Sequence, residues 1–106
     1  MTPTQIAWAA GLFEGEGCMH KAKHRPNSYT MELWMTDFDV VRRFADIIGV
    51  GTVSERTRQQ AHWKPILGWR LYKRADISKV LDVLLPYFGD RRAHKALDIL
   101  DNLELA

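Results

Sequence analysis

Residues 29–36 alternate between apolar and polar side chains, and this pattern constrains the fold more than any other feature of the sequence. Met31, Leu33 and Met35 fall on one side of an extended chain, and mostly polar residues fall on the other. Such alternation predicts a strand with one buried face and one solvent-facing face. Weaker patterns predict three further strands, at about 18–25, 51–58 and 66–73, the first of which has no clear parity.

Helical patterns separate these strands. Thr2-Pro3-Thr4-Gln5 has the form of a helix start with a capping box, and the helix that follows is apolar nearly all round up to the glycines at 15–17. A second helix is predicted from about Asp37, and a third ends before Pro86. The last helix begins near Asp90, and one of its faces is apolar, formed by Ala93, Ala96, Leu97, Leu100 and Leu103.

The predicted order is helix–strand–strand, repeated once, followed by two helices. This order is typical of an α+β fold in which an antiparallel four-stranded sheet carries its helices on one face. We expect a single domain over 1–106, because a chain of this length supports one two-layer core. The other face of the sheet would then be polar and open to solvent.

Basic residues are concentrated in two stretches, although the net charge is only +2. Residues 17–36 and 51–74 together hold nine Lys and Arg against two acidic side chains, whereas the rest of the chain holds six basic and eleven acidic ones. If the two stretches share the polar sheet face, that face is strongly basic and suits the major groove of DNA, which admits β-ribbons. The alternative is that these charges point in several directions.

Several other classes of protein are disfavoured. No run of 18 apolar residues occurs, so no membrane-spanning helix is predicted. Cys18 is the only cysteine; it favours a soluble protein in a reducing, intracellular compartment (cytoplasm, nucleoid or organelle) and is interpreted as a small buried residue. A zinc site is not expected, because no pair among His20, His24, His62 and His94 has ligand spacing with cysteines.

Small residues form a stripe along the first helix. Ala7, Gly11 and Gly15 recur every four residues, which would let a second helix approach closely. A symmetric pair of such helices would bring Glu16 close to Glu16 of a second copy, and two nearby carboxylates repel one another unless a cation lies between them. Mg²⁺ fits that role. The alternative is that residues 15–17 form only a surface turn and the stripe packs inside the monomer.

Residues 9–17, with the sequence AAGLFEGEG, resemble the LAGLIDADG signature of homing endonucleases. Residues 48–53 and 85–91 resemble the segments that this family places before its third strand and beyond its fourth, so that the resemblance runs from about residue 4 to 102. It implies an αββαββα fold with a short C-terminal helix. Because the chain holds one copy of the motif, it also implies a homodimer that cuts a long, pseudo-palindromic double-stranded DNA site with Mg²⁺, or with Mn²⁺ in its place, leaving short 3′ overhangs.

The resemblance also assigns roles to individual residues. Glu16 falls on the metal-binding position, where the family usually has Asp, and Arg91 falls where a basic residue stabilises transition-state charge. Asp37 falls where a polar residue organises water, although it could instead bind metal or cap the second helix. Glu14 is interpreted as helix-end structure more than as a metal ligand. The expected dimer interface comprises Ala7, Ala10, Gly11, Phe13, Glu14 and Gly15.

The family's strand parity predicts the residues that face DNA. Arg56 and Arg70 are the best candidates for guanine contacts, and Lys21, Lys23 and Lys64 are expected to meet phosphate. The remaining predicted DNA-binding residues are His20, His24, Asn27, Ser28, Thr30, Glu32, Trp34, Thr36, Ser54, Arg58 and Tyr72, with Ala22 on the same face.

Two other functions compete with the nuclease. One is a catalytically silent nucleic-acid-binding protein, such as a splicing helper or a regulator, because LAGLIDADG scaffolds also occur in those roles. The other is a plain oligomerisation domain with an incidental basic sheet. The carboxylate at the metal position, which silent members often lose and which this chain keeps as Glu16, favours the nuclease.

Overall fold

The computed structural model describes residues 1–25, 27–57 and 63–104. Its helices and strands follow the predicted order, and the strands are shorter than their sequence patterns suggest. The elements are α1 (Pro3–Glu16), β1 (Gly17–Lys21), β2 (Tyr29–Met35), α2 (Phe38–Ile48), β3 (Thr52–Arg56), β4 (Ile66–Leu71), α3 (Arg74–Leu84), a 3-10 turn (Leu85–Tyr87) and α4 (Asp90–Glu104).

The predicted capping box at the start of α1 is confirmed. The Thr2 hydroxyl accepts a hydrogen bond from the Gln5 amide at 3.1 Å, and the Thr2 amide donates to Gln5 Oε1 at 2.9 Å. These two bonds satisfy backbone donors that a helix start otherwise leaves open. The second α–β–β unit begins with α2, which stops at Gly49, a residue in the left-handed conformation with φ 79°.

The four strands form one antiparallel sheet in the order β1-β2-β4-β3. The register aligns Met19 with Met31, and Leu33 with Trp69. These four side chains are fully buried, so this face of the sheet packs against the helices. The prediction of an antiparallel sheet with helices on one face is therefore confirmed.

An aromatic cluster fills the space between the sheet and the helices. Phe44 lies edge-on to Trp69 with the ring centroids 4.9 Å apart, and Phe13 of α1 packs against both rings. The indole nitrogen of Trp69 donates to the Val50 carbonyl at 2.8 Å. Gly51, at φ 98°, must remain glycine, because a Cβ there would overlap this indole.

Two sequence predictions about burial are wrong. Leu97 was expected on the apolar face of α4, but it is 45% exposed, and Ile99 takes its place in the core. The face of α4 is set by Ala96 and Ile99 at helical spacing and by Asn102, whose amide donates to the Tyr29 hydroxyl at 2.7 Å. Cys18 is exposed rather than buried, because β1 turns Met19 towards the core and its two neighbours outwards.

No helix within the described ranges is long and apolar enough to cross a membrane.

Candidate nucleic-acid interface and acidic helix end

The sheet presents a second face, directed away from the helices, which we call the polar sheet face. Strand alternation and the pairing register place on it Cys18 and His20 of β1, Thr30, Glu32 and Trp34 of β2, Thr52, Ser54 and Arg56 of β3, and Gly68 and Arg70 of β4. The predicted DNA-binding residues that fall within the described strands therefore lie on one continuous surface, apart from Lys21 at the end of β1. Arg56 and Arg70 share this face, but part of the basic charge points elsewhere: Lys21 lies on the opposite side of β1, and Arg74 donates to the Leu103 carbonyl of α4.

Glu32 lies at the centre of an ionic cluster on this face. Its Oε2 atom is 3.3 Å from Arg70 Nε and 3.5 Å from His20 Nε2. The Arg70 guanidinium also lies over the Tyr72 ring, 5.5 Å from its centroid. The sequence predicted these residues individually as DNA contacts, but their mutual contacts depend on strand pairing between β1, β2 and β4.

Trp34 and Arg56 form a second arrangement on the polar sheet face. The Trp34 ring lies flat over Gly68, where any Cβ would overlap it, and the Arg56 guanidinium stacks on the ring at 4.4 Å from the centroid. Cation–π stacking of this kind restrains a long arginine side chain. Trp34 therefore acts as a support for Arg56.

The other predicted DNA-binding residues are placed as follows. Thr30 is 9% exposed, so its side chain offers little surface to a ligand, contrary to the prediction. Asn27 lies in the turn between β1 and β2 with φ 62°, and Ser28 next to it is half-buried. Exposed positions are occupied by His20, Lys21, Lys23, His24, Thr36, Ser54, Arg56, Lys64 and Tyr72. Arg58 lies outside the described residues, as do Pro26 and His62.

Glu16 is the last residue of α1 and is exposed. No basic side chain occupies the last turn of this helix, so the partial negative charge of the helix C-terminus adds to that of the carboxylate. The sheet register puts the start of β1 and the end of β2 at the same end of the sheet. Glu16, just before β1, and Asp37, just after β2, therefore share that end.

Asp37 occupies the cap position of α2, but its side chain makes no capping hydrogen bond. Its backbone carbonyl instead accepts the amides of Val40 at 3.1 Å and Val41 at 3.3 Å. The interpretation of the Asp37 carboxylate as a helix cap is therefore wrong. The carboxylate is exposed at the same end of the sheet as Glu16.

Glu14 joins α1 to α4. Its Oε1 accepts the Gly89 amide, its Oε2 lies 3.3 Å from Arg92 Nε, and its carbonyl accepts Arg92 Nη2 at 2.9 Å. The hydrogen bond from Gly89, and then the neighbouring Arg92 and Arg91, lower the pKa of Glu14 below its ordinary value, against an opposing effect of burial. The interpretation of Glu14 as helix-end structure agrees with these contacts, and its assignment to a dimer interface stays a prediction.

Arg91 and Arg92 have different environments at the start of α4. The Arg92 side chain is only 10% exposed and its guanidinium lies over Phe13 at 5.4 Å. Arg91 is exposed, yet close enough to the end of α1 to influence the Glu14 carboxylate. Sequence reasoning did not single out Arg92, whose only signal was its position beside Arg91.

The small-residue stripe on α1 lies on the surface of the chain. Ala7, Gly11 and Gly15 are exposed, and a Cβ added at either glycine would meet nothing within 4 Å. The alternative in which the stripe packs inside the monomer is thus contradicted. Ala10 and Phe13, however, are fully buried, so their assignment to a dimer interface is wrong. Their side chains are on the face of α1 that covers the sheet.

Sequence comparisons give no match, either to protein-family models or to curated proteins. Solved structures do match. The homing endonuclease I-CvuI in complex with its target superimposes with a TM-score of 0.74 over 95% of this chain at 19% identity, and the group I intron-encoded homing endonuclease I-CeuI complexed with DNA does so with 0.74 over 98% at 15% identity. The LAGLIDADG meganuclease I-AabMI, bound to uncleaved DNA, gives 0.71 over 94% at 14% identity.

The chain has the LAGLIDADG homing endonuclease fold. It spans 66% of the I-CvuI chain, 56% of the I-CeuI chain and 36% of the I-AabMI chain. The resemblance inferred from AAGLFEGEG is therefore confirmed at the level of the fold, over almost the whole chain.

In this LAGLIDADG fold, the end of α1 offers oxygen ligands of the kind that Mg²⁺ prefers. Within residues 1–25, 27–57 and 63–104, however, no group of three or more His, Cys, Asp or Glu side chains could hold a metal ion. At the end of α1 each chain has one exposed carboxylate, that of Glu16. The donor chemistry fits a divalent cation, provided that further oxygen atoms come from a second copy, from DNA phosphate or from water.

Proposed function

We propose that this chain is one subunit of a homodimeric, site-specific DNA endonuclease that hydrolyses phosphodiester bonds in both strands with Mg²⁺. The observation that supports this most directly is the surface of α1, where an open stripe of small residues leads to the exposed carboxylate of Glu16. The LAGLIDADG fold and the DNA-bound neighbours I-CvuI and I-CeuI support the same function. Since it acts on DNA, the protein would work inside the cell.

Dimerisation would complete the metal site. Two α1 helices packed along Ala7, Gly11 and Gly15 about a two-fold axis would bring the two Glu16 carboxylates together. Each carboxylate lies at the negative end of its helix, so the pair would be unstable without a cation. I-CvuI was solved with DNA in the presence of calcium and of magnesium, and Mn²⁺ is expected to replace Mg²⁺. The bound ion would activate water and stabilise the leaving 3′ oxygen.

The chain's other residues would bind and orient the DNA. The polar sheet face would enter the major groove, where Arg56 and Arg70 suit guanine, while the exposed lysines neutralise phosphate. Arg91, near the end of α1, would stabilise the charge that develops on the scissile phosphate, and it cannot act as a base because guanidinium stays protonated. The Asp37 carboxylate would orient water at the same end of the sheet.

The test is cleavage of a randomised, pseudo-palindromic DNA library by the purified protein, with Mg²⁺ and with EDTA. We expect metal-dependent cuts at one enriched sequence, with short 3′ overhangs. Enrichment by binding without cuts in Mg²⁺ or Mn²⁺ would contradict the nuclease. It would favour the silent nucleic-acid-binding protein, for which the polar sheet face alone would suffice.

A further inference from the structure

We infer that Glu32 is a positioning residue for base recognition on the polar sheet face: it holds Arg70 so that this arginine reads a guanine in each half of the DNA site. This inference rests on the proposed DNA-binding function. Among the strand residues that the structure describes, Glu32 is the only acid on this face. An acid there opposes phosphate binding, so its presence needs a role that a neutral residue would not fill.

The contact between Glu32 and Arg70 restrains the guanidinium group of Arg70 at its Nε atom. The two residues are direct register partners on β2 and β4, and Glu32 Oε2 lies 3.3 Å from Arg70 Nε. This Nε atom is buried and has no hydrogen bond of normal geometry, so the carboxylate holds it by charge at short range. An arginine engaged through Nε keeps its two terminal nitrogens available, and those are the atoms that pair with O6 and N7 of guanine.

Two neighbours restrain this pair further. His20 Nε2 lies 3.5 Å from the same Glu32 oxygen, and the Tyr72 ring lies under the Arg70 guanidinium at 5.5 Å. Restraint matters because a free arginine loses considerable rotamer entropy when it is ordered on a base edge. The side chains of Glu32 and Arg70 are 22% and 35% exposed. The Arg70 guanidinium is therefore restrained by its neighbours and still reaches the surface.

Arg56 provides an internal control. It stacks on Trp34 at 4.4 Å and forms no ion pair with an acid in the described part of the chain. Loss of the Glu32 charge should therefore alter the base read by Arg70 and leave the base read by Arg56 unchanged.

The experiment is selection of bound DNA from a randomised library by the wild-type protein and by Glu32→Gln, Arg70→Lys and Glu55→Gln. In Glu32→Gln we expect the guanine preference at one symmetric pair of positions to fall by about ten-fold, while the affinity for random DNA rises because a negative charge is removed. Arg70→Lys should weaken the preference at the same positions, since lysine has no Nε for Glu32 to hold and lacks the planar pair of terminal nitrogens. Glu55→Gln is the matched control: it removes the same charge from the opposite face of the sheet.

The outcomes separate this inference from the proposed function. If the wild-type protein selects a sequence but Glu32→Gln selects the same one with equal preference, the role of Glu32 is overturned and the DNA-binding function stands. If Arg70→Lys loses the guanine preference and Glu32→Gln keeps it, the role of Glu32 is likewise overturned and the DNA-binding function stands. If the wild-type protein selects no sequence at all, the site-specific function fails, and the inference fails with it. Equal melting temperatures of the variants exclude a folding defect as the cause.

Discussion

Glu14 and Glu16 stand two residues apart on the last turn of α1, yet they belong to two different regions of the molecule. Glu14 lies at the junction with α4, where it accepts the Gly89 amide and contacts Arg92. This places its carboxylate at the positive N-terminal end of α4. Glu16 lies at the negative C-terminal end of α1, exposed and without an ion pair to any residue that the structure describes.

The difference shows how to tell a structural acid from a functional one. Glu14 gains stability from its surroundings in the folded chain, and its pKa is lowered accordingly. For Glu16 the fold provides only an unfavourable helix end, and the proposed function would supply the benefit of a carboxylate at that position. A divalent cation and a second copy of the chain are the additions that the proposed function requires.

The largest expected effect follows from removing the charge at Glu16. Glu16→Gln should reduce the rate of DNA cutting by roughly 100-fold or more, because it removes a metal ligand. Its melting temperature should be equal to or higher than that of the wild-type protein, since the exposed carboxylate makes no contact that folding needs and lies at the negative end of α1. Single-turnover cleavage of the selected target, with a thermal melt of both proteins, measures this. Unchanged cutting would show that Glu16 is not the metal ligand.

The second largest effect concerns the stripe that leads to Glu16. Gly11→Leu should prevent dimerisation and therefore cutting, because its side chain would separate the two α1 helices. The fold of the single chain should persist, since a Cβ at Gly11 meets nothing within 4 Å. Sedimentation velocity measures the change, and Ala75→Leu, at an exposed position of α3, is the matched control. A Gly11→Leu protein that remains a dimer would place the interface elsewhere.

Sequence alone predicted the parts of the molecule that depend on short-range patterns. The capping box of Thr2 and Gln5 is such a case, because all of its atoms lie within one helical turn. The alternation of Met31 and Leu33 likewise defined the buried face of β2 before the sheet was known. The motif at the end of α1 identified the fold itself.

The incorrect predictions have two physical causes. α1 is apolar nearly all round, so periodicity could not distinguish Phe13, which enters the core, from Gly11, which does not. β1 is short and of mixed character, which left Cys18 without a parity. The contacts of Glu14 with Gly89 and Arg92 join residues more than 70 positions apart, and no local pattern records such a pair.

A smaller effect is expected from Glu14→Gln. This change weakens the hydrogen bond from Gly89 and removes the ion pair with Arg92. It should lower the free energy of unfolding by roughly 1 kcal/mol, a value reduced by solvent screening because the Glu14 side chain is 34% exposed. Cutting should fall far less than in Glu16→Gln. Urea denaturation at neutral pH measures the stability, and an unchanged midpoint would show that the Glu14 carboxylate does not stabilise the fold.

The smallest and most specific effect is the pH dependence of the difference in unfolding free energy between the wild-type protein and Glu14→Gln. The pKa of folded Glu14 lies below its ordinary value of 4.5, first because the Gly89 amide donates to the carboxylate and then because Arg92 is close. A lowered pKa contributes stability that is present above the ordinary value and is lost as the pH falls through the folded pKa. The difference in unfolding free energy between wild type and Glu14→Gln should therefore be constant near neutral pH and shrink below about pH 4.5. Urea titrations at pH 7, 5, 4 and 3 measure it. If this difference in unfolding free energy persists at pH 3, the stability that Glu14 provides comes from its hydrogen-bonding geometry and not from its charge. The charge would then not be what distinguishes Glu14 from Glu16.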